Sequence, residues 1–298
     1  NCSNLLEVEL PEGLTQIPNK VFENCQSLES INIPEGINEI GENSFYGCSN
    51  LVSIIIPEGV KEIGNRAFGG CSSLVSMIIP EGVTKIGGAA FFRCSNLISV
   101  ELPASLTVIE SDMTSGVFHA CKALERITIP EGIERLNQYF FLGCIKLKEV
   151  YLPSTLRYIE SNAFRDCSSL VSVTIPASVE DMGYETFLNC ENLVEVIFEG
   201  DAPSYSAYSD NIFQGVSGEA KAYINSGASG FGAFYSGLPV ITREGDVMPP
   251  VLDLLGAISL QHALGMVYED AGATATDDED GAVSVTTTGL VDVNTLGS

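Results

Sequence analysis

Residues 71–93 read C-S-S-L-V-S-M-I-I-P-E-G-V-T-K-I-G-G-A-A-F-F-R, and this stretch is one clean copy of a pattern that fills most of the 298-residue chain. Cysteine returns at Cys2, Cys25, Cys48, Cys71, Cys94, Cys121, Cys144, Cys167 and Cys190, with seven intervals of 23 residues and one of 27. Phenylalanine lies three residues before each cysteine from Phe22 to Phe187, and leucine three residues after each, from Leu5 to Leu193. A fixed period of this size marks stacked units that cannot bury their apolar faces alone. It favours an extended surface over an enclosed pocket.

Within the copy, Leu74, Met77 and Ile79 have the L-x-x-L-x-L spacing of a strand whose alternate side chains fill a coil. Pro80 ends that strand, because it has no N–H for a ladder and a fixed φ. Glu81-Gly82 suits the turn that follows, since glycine adopts positive φ at little cost. Val83 and Ile86 turn the return segment inward, Phe91 plugs the far side, and Cys94 opens the next coil. Each coil thus consumes the whole repeat, and nine strand segments follow from the cysteine count.

The recurring I-P-E-G-V-x-x-I-G-x-x-A-F-x-x-C-x-x-L, as in residues 56–74, resembles the BspA-type leucine-rich repeat of bacterial surface proteins. The resemblance covers residues 1–198. It implies a right-handed solenoid, display on a bacterial surface or secretion, adhesion to extracellular proteins or glycans, and no enzymatic activity. The expected fold is a β-rich leucine-rich repeat solenoid of about nine coils. A degenerate terminal repeat and cap over 199–245 follow it, then a linker and an incomplete β-sandwich over 246–298.

Three readings of the cysteines compete. A disulfide framework needs pairs, and nine is odd. Zinc needs converging ligands, and no two of these cysteines are closer than 23 residues. A ladder of buried free thiols is the reading favoured, because free cysteine behaves as a small hydrophobe.

Alternation along each strand places two columns outward. One runs Glu7, Ser30, Ser53, Ser76, Ser99, Arg126, Glu149, Ser172, Glu195; the other runs Glu9, Asn32, Ile55, Ile78, Glu101, Thr128, Tyr151, Thr174, Ile197. Ile55 and Ile78 form an apolar spot on a face that should be wet, and Glu101, Arg126 and Tyr151 extend it. Those five are the candidate binding residues, with a purely structural preference of β-branched residues for strands as the alternative. Glutamate also recurs after the strand proline, at Glu12, Glu35, Glu58, Glu81 and Glu131, as a like-charge column on a solvated edge.

The 27-residue interval holds four extra residues around Ser111 to Gly116, expected to bulge as a flanking loop. His119, just beyond, is read as packed or solvent-facing. With 39 acidic and 14 basic residues the net charge is −25. That balance weighs against nucleic acid or an anionic membrane as partner. No apolar run of about 18 residues offers a membrane span. Asn1 and the mid-unit Cys2 suggest a piece of a longer protein.

After Phe198 the pattern decays, with Phe213 and Val216 still in phase. Ala222-Tyr223-Ile224 and Leu238 to Ile241 are the candidate last strands, and Gly227 to Gly237 resembles the stretch that closes such arrays. The glycines at 227–232 lack the lysine of a phosphate loop. Residues 249–298, with Pro249-Pro250-Val251, Tyr268 to Ala275 and Asp277 to Gly281, resemble part of a bacterial immunoglobulin-like domain related to hyalin repeats. Asp277, Asp278 and Asp280 are a weak calcium alternative, without EF-hand spacing; otherwise no metal and no cofactor is expected. No nucleophile elbow, zincin or Walker motif occurs. The expected role is extracellular binding of a protein or glycan through the strand face. A structural spacer or self-associating surface component is the alternative.

Overall fold

The computed structural model describes residues 2–205, 211–243, 251–254, 273–277 and 281–283. The chain divides into two compact units, residues 1–242 and 243–298. The first unit is a parallel β-solenoid of about nine coils. Its core runs the length of the unit as columns of buried leucine, isoleucine, phenylalanine and cysteine.

Two ladders form, where the repeat pattern alone suggests one. On the strand face, Ser76–Ile78, Ser99–Glu101, Arg126–Thr128 and Glu149–Tyr151 pair side by side. Ser172–Ile175, Glu195–Phe198 and Lys221–Asn225 then continue in parallel register. The matching segments of the first three coils stay outside this ladder. They are joined at their starts by single bonds, Glu29 N–H to Leu6 at 3.5 Å and Val52 N–H to Glu29 at 3.2 Å. The second ladder is the return segment. Gln16–Ile17, Glu39–Ile40, Glu62–Ile63, Lys85–Ile86 and Val108–Ile109 pair in parallel two-residue steps, each with its isoleucine turned inward.

The turn chemistry is as the residues require. Val83 N–H bonds the Pro80 carbonyl at 3.2 Å, and Gly82 takes φ +101°. On the far side each F-x-x-C-x-x-L is a pair of tight turns: Cys71 N–H donates to Phe68 O at 3.1 Å, and Leu74 N–H to Cys71 O at 3.2 Å. Phenylalanine rings from Phe22 to Phe187, and Phe213 after them, stack at centroid spacings of 5.0–5.7 Å. Such pairs add about 0.5–1.5 kcal/mol each beyond burial.

The thiols are free and, from Cys25 to Cys190, buried; Cys2 is exposed. Each thiol from Cys48 onward donates to the carbonyl of the phenylalanine one coil earlier, at 3.1–3.2 Å. That carbonyl already accepts the N–H of its own coil's cysteine, so both of its lone pairs are filled. This bond is a reason for cysteine here over alanine or valine, which lack a donor.

Beyond Phe198, Lys221–Asn225 extends the strand-face sheet, and Leu238–Arg243 follows it with Phe234–Tyr235 paired antiparallel at the edge. Tyr235 packs against Phe198, Phe213 and Phe231, and its hydroxyl donates to Pro203 O at 3.0 Å. This aromatic knot covers the end of the column.

The second unit contains an antiparallel three-stranded sheet of Val251–Leu254, Ala273–Asp277 and Gly281–Val283. Pro249, Pro250 and Tyr268 to Gly272, which carry part of the immunoglobulin-like resemblance, lie outside the described residues. So do Asp278 and Asp280 of the calcium alternative.

Candidate functional site

The strand face carries three exposed columns. The two read by alternation are present: Ile55 is 82% exposed, Tyr151 58% and Ile78 50%. The third lies one residue ahead of the strand, at the fourth position after each cysteine. It runs Leu6, Glu29, Val52, Val75, Ile98, Glu125, Lys148, Val171 and Val194, and its members are held coil to coil by backbone bonds. Val75 N–H donates to Val52 O at 3.3 Å, Ile98 N–H to Val75 O at 2.8 Å and Glu125 N–H to Ile98 O at 3.2 Å. Val52, Val75 and Ile98 are each at least 41% exposed.

These two apolar columns meet on coils three to five. Val52 and Ile55, Val75 and Ile78, then Ile98 form one aliphatic strip, with Ser53, Ser76 and Ser99 between its columns. Contiguous exposed aliphatic surface is a common feature of interaction sites. The missed column was visible in sequence as apolar residues after the core leucine. Strict alternation passes over it, because two consecutive residues point outward where the strand begins.

The five candidate residues fall into two groups. Ile78 pairs in register with Glu101, and Ile55 lies one coil before. Arg126 pairs with Glu149, and Thr128 with Tyr151, whose hydroxyl donates to the Glu149 carboxylate at 3.5 Å. Tyr151 is three coils from Ile78, about 14 Å at the spacing of paired strands. The five therefore line a track and do not converge on one point.

Charge varies along the track. Coils one and two expose Glu7, Glu9 and Glu29, and a hollow of about 690 Å³ there is lined by Glu7, Glu9, Glu12 and Glu35 with Ser30 and Asn32. Coils six and seven expose Lys122, Arg126, Lys146 and Lys148. Of these four, only Lys148 has a carboxylate partner among the described residues, Glu125 at 3.2 Å. No group of three or more histidine, cysteine or acidic side chains that could hold a metal occurs among the described residues.

The glutamates after the strand proline are more than a solvated edge where the next coil lacks one. Glu81 accepts the Ala104 N–H at 3.1 Å, and Glu131 accepts the Ser154 N–H at 3.0 Å and its hydroxyl at 3.1 Å. The Ser154 N–H, with the hydroxyl's help, holds the Glu131 carboxyl below its ordinary range.

The insertion folds back over the return side. Arg66 grips Asp112 with two bonds of 3.0 Å and reaches Thr114 at 2.7 Å, leaving Met113 at the tip 93% exposed. Burial raises the Asp112 carboxyl pKa, but the Arg66 and Thr114 bonds outweigh it and hold the group low. The insertion interrupts the return ladder after Val108–Ile109, and the Asn137 amide donates to Ile109 O at 2.8 Å in place of a strand bond. His119 packs edge-on against Phe92 at 5.0 Å, and burial, then nearby Arg93, lowers its pKa. It is a packing residue, neutral and away from the strand face.

Comparison with known proteins agrees with this architecture. No curated protein matches the chain. A leucine-rich repeat protein from Bacteroides ovatus, known by crystal structure, is 31% identical with a TM-score of 0.65, over 76% of this chain and 56% of its own. This chain therefore spans little more than half of that protein. A leucine-rich repeat protein of T. pallidum is 33% identical with a TM-score of 0.52, over 55% of this chain and 78% of its own. The BspA type leucine-rich repeat region matches residues 1–117 and 111–229. With the repeat, the solenoid and the sequence profile in agreement over more than half its length, the chain belongs to the BspA-type leucine-rich repeat family.

Proposed function

We propose that this chain is a non-enzymatic binding module of a bacterial surface or secreted protein, and that it recognises other proteins through its strand face. The observation that carries this reading is the aliphatic strip of Val52, Ile55, Val75, Ile78 and Ile98, set in a frame of serines. Aliphatic surface of this kind gains by being covered, at about 25 cal/mol per Å². A polypeptide partner suits it better than a glycan does: sugar faces stack on aromatic rings, and the strip has none. Family membership supports a binding role.

The test is capture on a panel of immobilised extracellular-matrix and surface proteins, comparing the parent with an Ile55→Glu, Ile78→Glu variant of unchanged circular dichroism. The parent is expected to bind at least one protein, and the variant to bind it at least about tenfold more weakly. Equal binding by both would move recognition to the insertion or the cap.

A further inference from the structure

On the first five coils the strand face is aliphatic in its middle and acidic along one border. Residues 2–12, 25–35, 48–58, 71–81 and 94–104 carry each strand and its closing turn, and they hold eight glutamates with no lysine or arginine. The strip of Val52, Ile55, Val75, Ile78 and Ile98 lies on coils three to five, and Leu6, 63% exposed, opens its outer column on coil one. Glu12, Glu35, Glu58 and Glu81 run beside it, stacked at the exits of successive strands. Glu12 and Glu35 line the same hollow as Glu7 and Glu9, so border and strand face are one surface.

The fold does not demand this border. The same turn position holds Ala104, Ser154 and Ala177 on coils five, seven and eight. Those turns close equally well: Leu106 N–H bonds Pro103 O at 3.1 Å, and Val179 N–H bonds Pro176 O at 3.0 Å. Of the four stacked glutamates, Glu81 accepts the Ala104 N–H. Glu12, Glu35 and Glu58 are exposed and have no hydrogen-bond or ion-pair partner among the described residues. Lys61 reaches the border over Gly82 and forms no ion pair there. Like charges stacked about 4.8 Å apart repel, so the column gains by acquiring cations.

We infer that the partner of this face presents a cationic amphipathic helix, laid along the solenoid axis with its apolar stripe on the aliphatic strip and lysine or arginine above the glutamate border. This rests on the strand face being the recognition surface, and it names the chemistry which that surface recognises. Side-by-side columns along one axis match a helix, whose apolar stripe has a charged flank next to it. An extended chain alternates its side chains between opposite faces, so its basic residues would point away from the border whenever its apolar ones met the strip. Coils one to five span about 19 Å at the paired-strand spacing, the length of about 13 helical residues. An acidic or neutral helix would leave the glutamate column unanswered.

Fluorescence anisotropy with labelled peptides of about 16 residues, titrated with the full chain, tests this. One peptide is a helix with a leucine stripe and lysines on one flank; the second is its scrambled sequence, and the third carries glutamate in place of lysine. At physiological salt, which damps attraction to net charge, the first should bind at least about tenfold more tightly than either other. Ile55→Ser with Ile78→Ser, of unchanged circular dichroism, should weaken it at least about tenfold. Glu12→Gln with Glu35→Gln and Glu58→Gln should weaken it at least about fivefold. Glu39→Gln with Glu134→Gln and Glu191→Gln removes as much charge away from the face, and should leave binding within about twofold of the parent.

No binding of the first peptide, equal binding of the scrambled one, or equal loss in the two glutamate variants would each overturn the inference. Capture of a panel protein through Ile55 and Ile78 that is indifferent to Glu12, Glu35 and Glu58 would remove the cationic helix and sustain strand-face recognition. A chain that binds neither peptide nor protein would sink both.

Discussion

At the scale of single residues, cysteine is the most telling choice. A thiol is small enough for the coil interior and still offers a donor to a carbonyl that a wider side chain would shield. Burial pushes the Cys48 and Cys94 thiols up from the ordinary 9.0 to about 12. The unfolded chain releases these protons near pH 9, the folded chain only well above it. Stability is therefore full below pH 9 and falls as the pH climbs from there towards 12. A thiol reagent at neutral pH is expected to modify Cys2 alone in the native protein, and the eight buried thiols only on denaturation. Rapid reaction of more than one would contradict the buried ladder. Periodicity made burial of these cysteines legible, since an odd count at fixed spacing excluded a simple pairing scheme. Their hydrogen bonds were not legible, because each acceptor lies one coil away and is defined only once the coils stack.

At the scale of elements, the insertion shows how a solenoid absorbs extra residues without losing phase. Gly116 closes it against the next coil, where a Cβ would lie 2.0 Å from Tyr139 O. Gly116→Ala is expected to destabilise the chain by about 1–3 kcal/mol through overpacking. Arg66→Ala should loosen only the tip, raising amide exchange at Asp112 to Thr114 with little change in Tm. Hydrogen exchange and thermal melts of the two variants separate these outcomes; equal melting temperatures would remove Gly116 from its closing role. The position and size of the insertion were plain from one long interval. Its direction was not, since the Arg66 anchor lies 46 residues away in sequence. The return ladder went uncounted for a related reason: two-residue strands carry too little alternation to register, and only lateral pairing defines them.

At the scale of the whole solenoid, each coil rests on its two neighbours, so stability is a sum of local terms. Phe141 sits mid-array between Phe118 and Phe164. Phe141→Ala is expected to cost about 3–5 kcal/mol and, beyond lowering Tm, to divide one unfolding transition into two. Calorimetry that retained a single sharp transition would show cooperativity reaching further than neighbouring coils. The solenoid itself was written in the repeat: Leu, Ile, Phe and Cys at fixed offsets leave one way to close a coil. The exposed track was half written, because exposure at Val52, Val75 and Ile98 depends on how the chain enters each strand, which no side-chain period encodes.

The thiol-to-carbonyl bonds, the phenylalanine stack and both ladders all run from coil to coil, along the axis on which tension would act if the two ends were pulled apart. Under load the interfaces between successive coils are strained in series, so the array should yield by peeling one coil at a time at modest force. Each coil released pays out about 80 Å of slack from its 23 residues. On a surface exposed to flow, such a module would lengthen before its grip failed, giving a tether with built-in compliance.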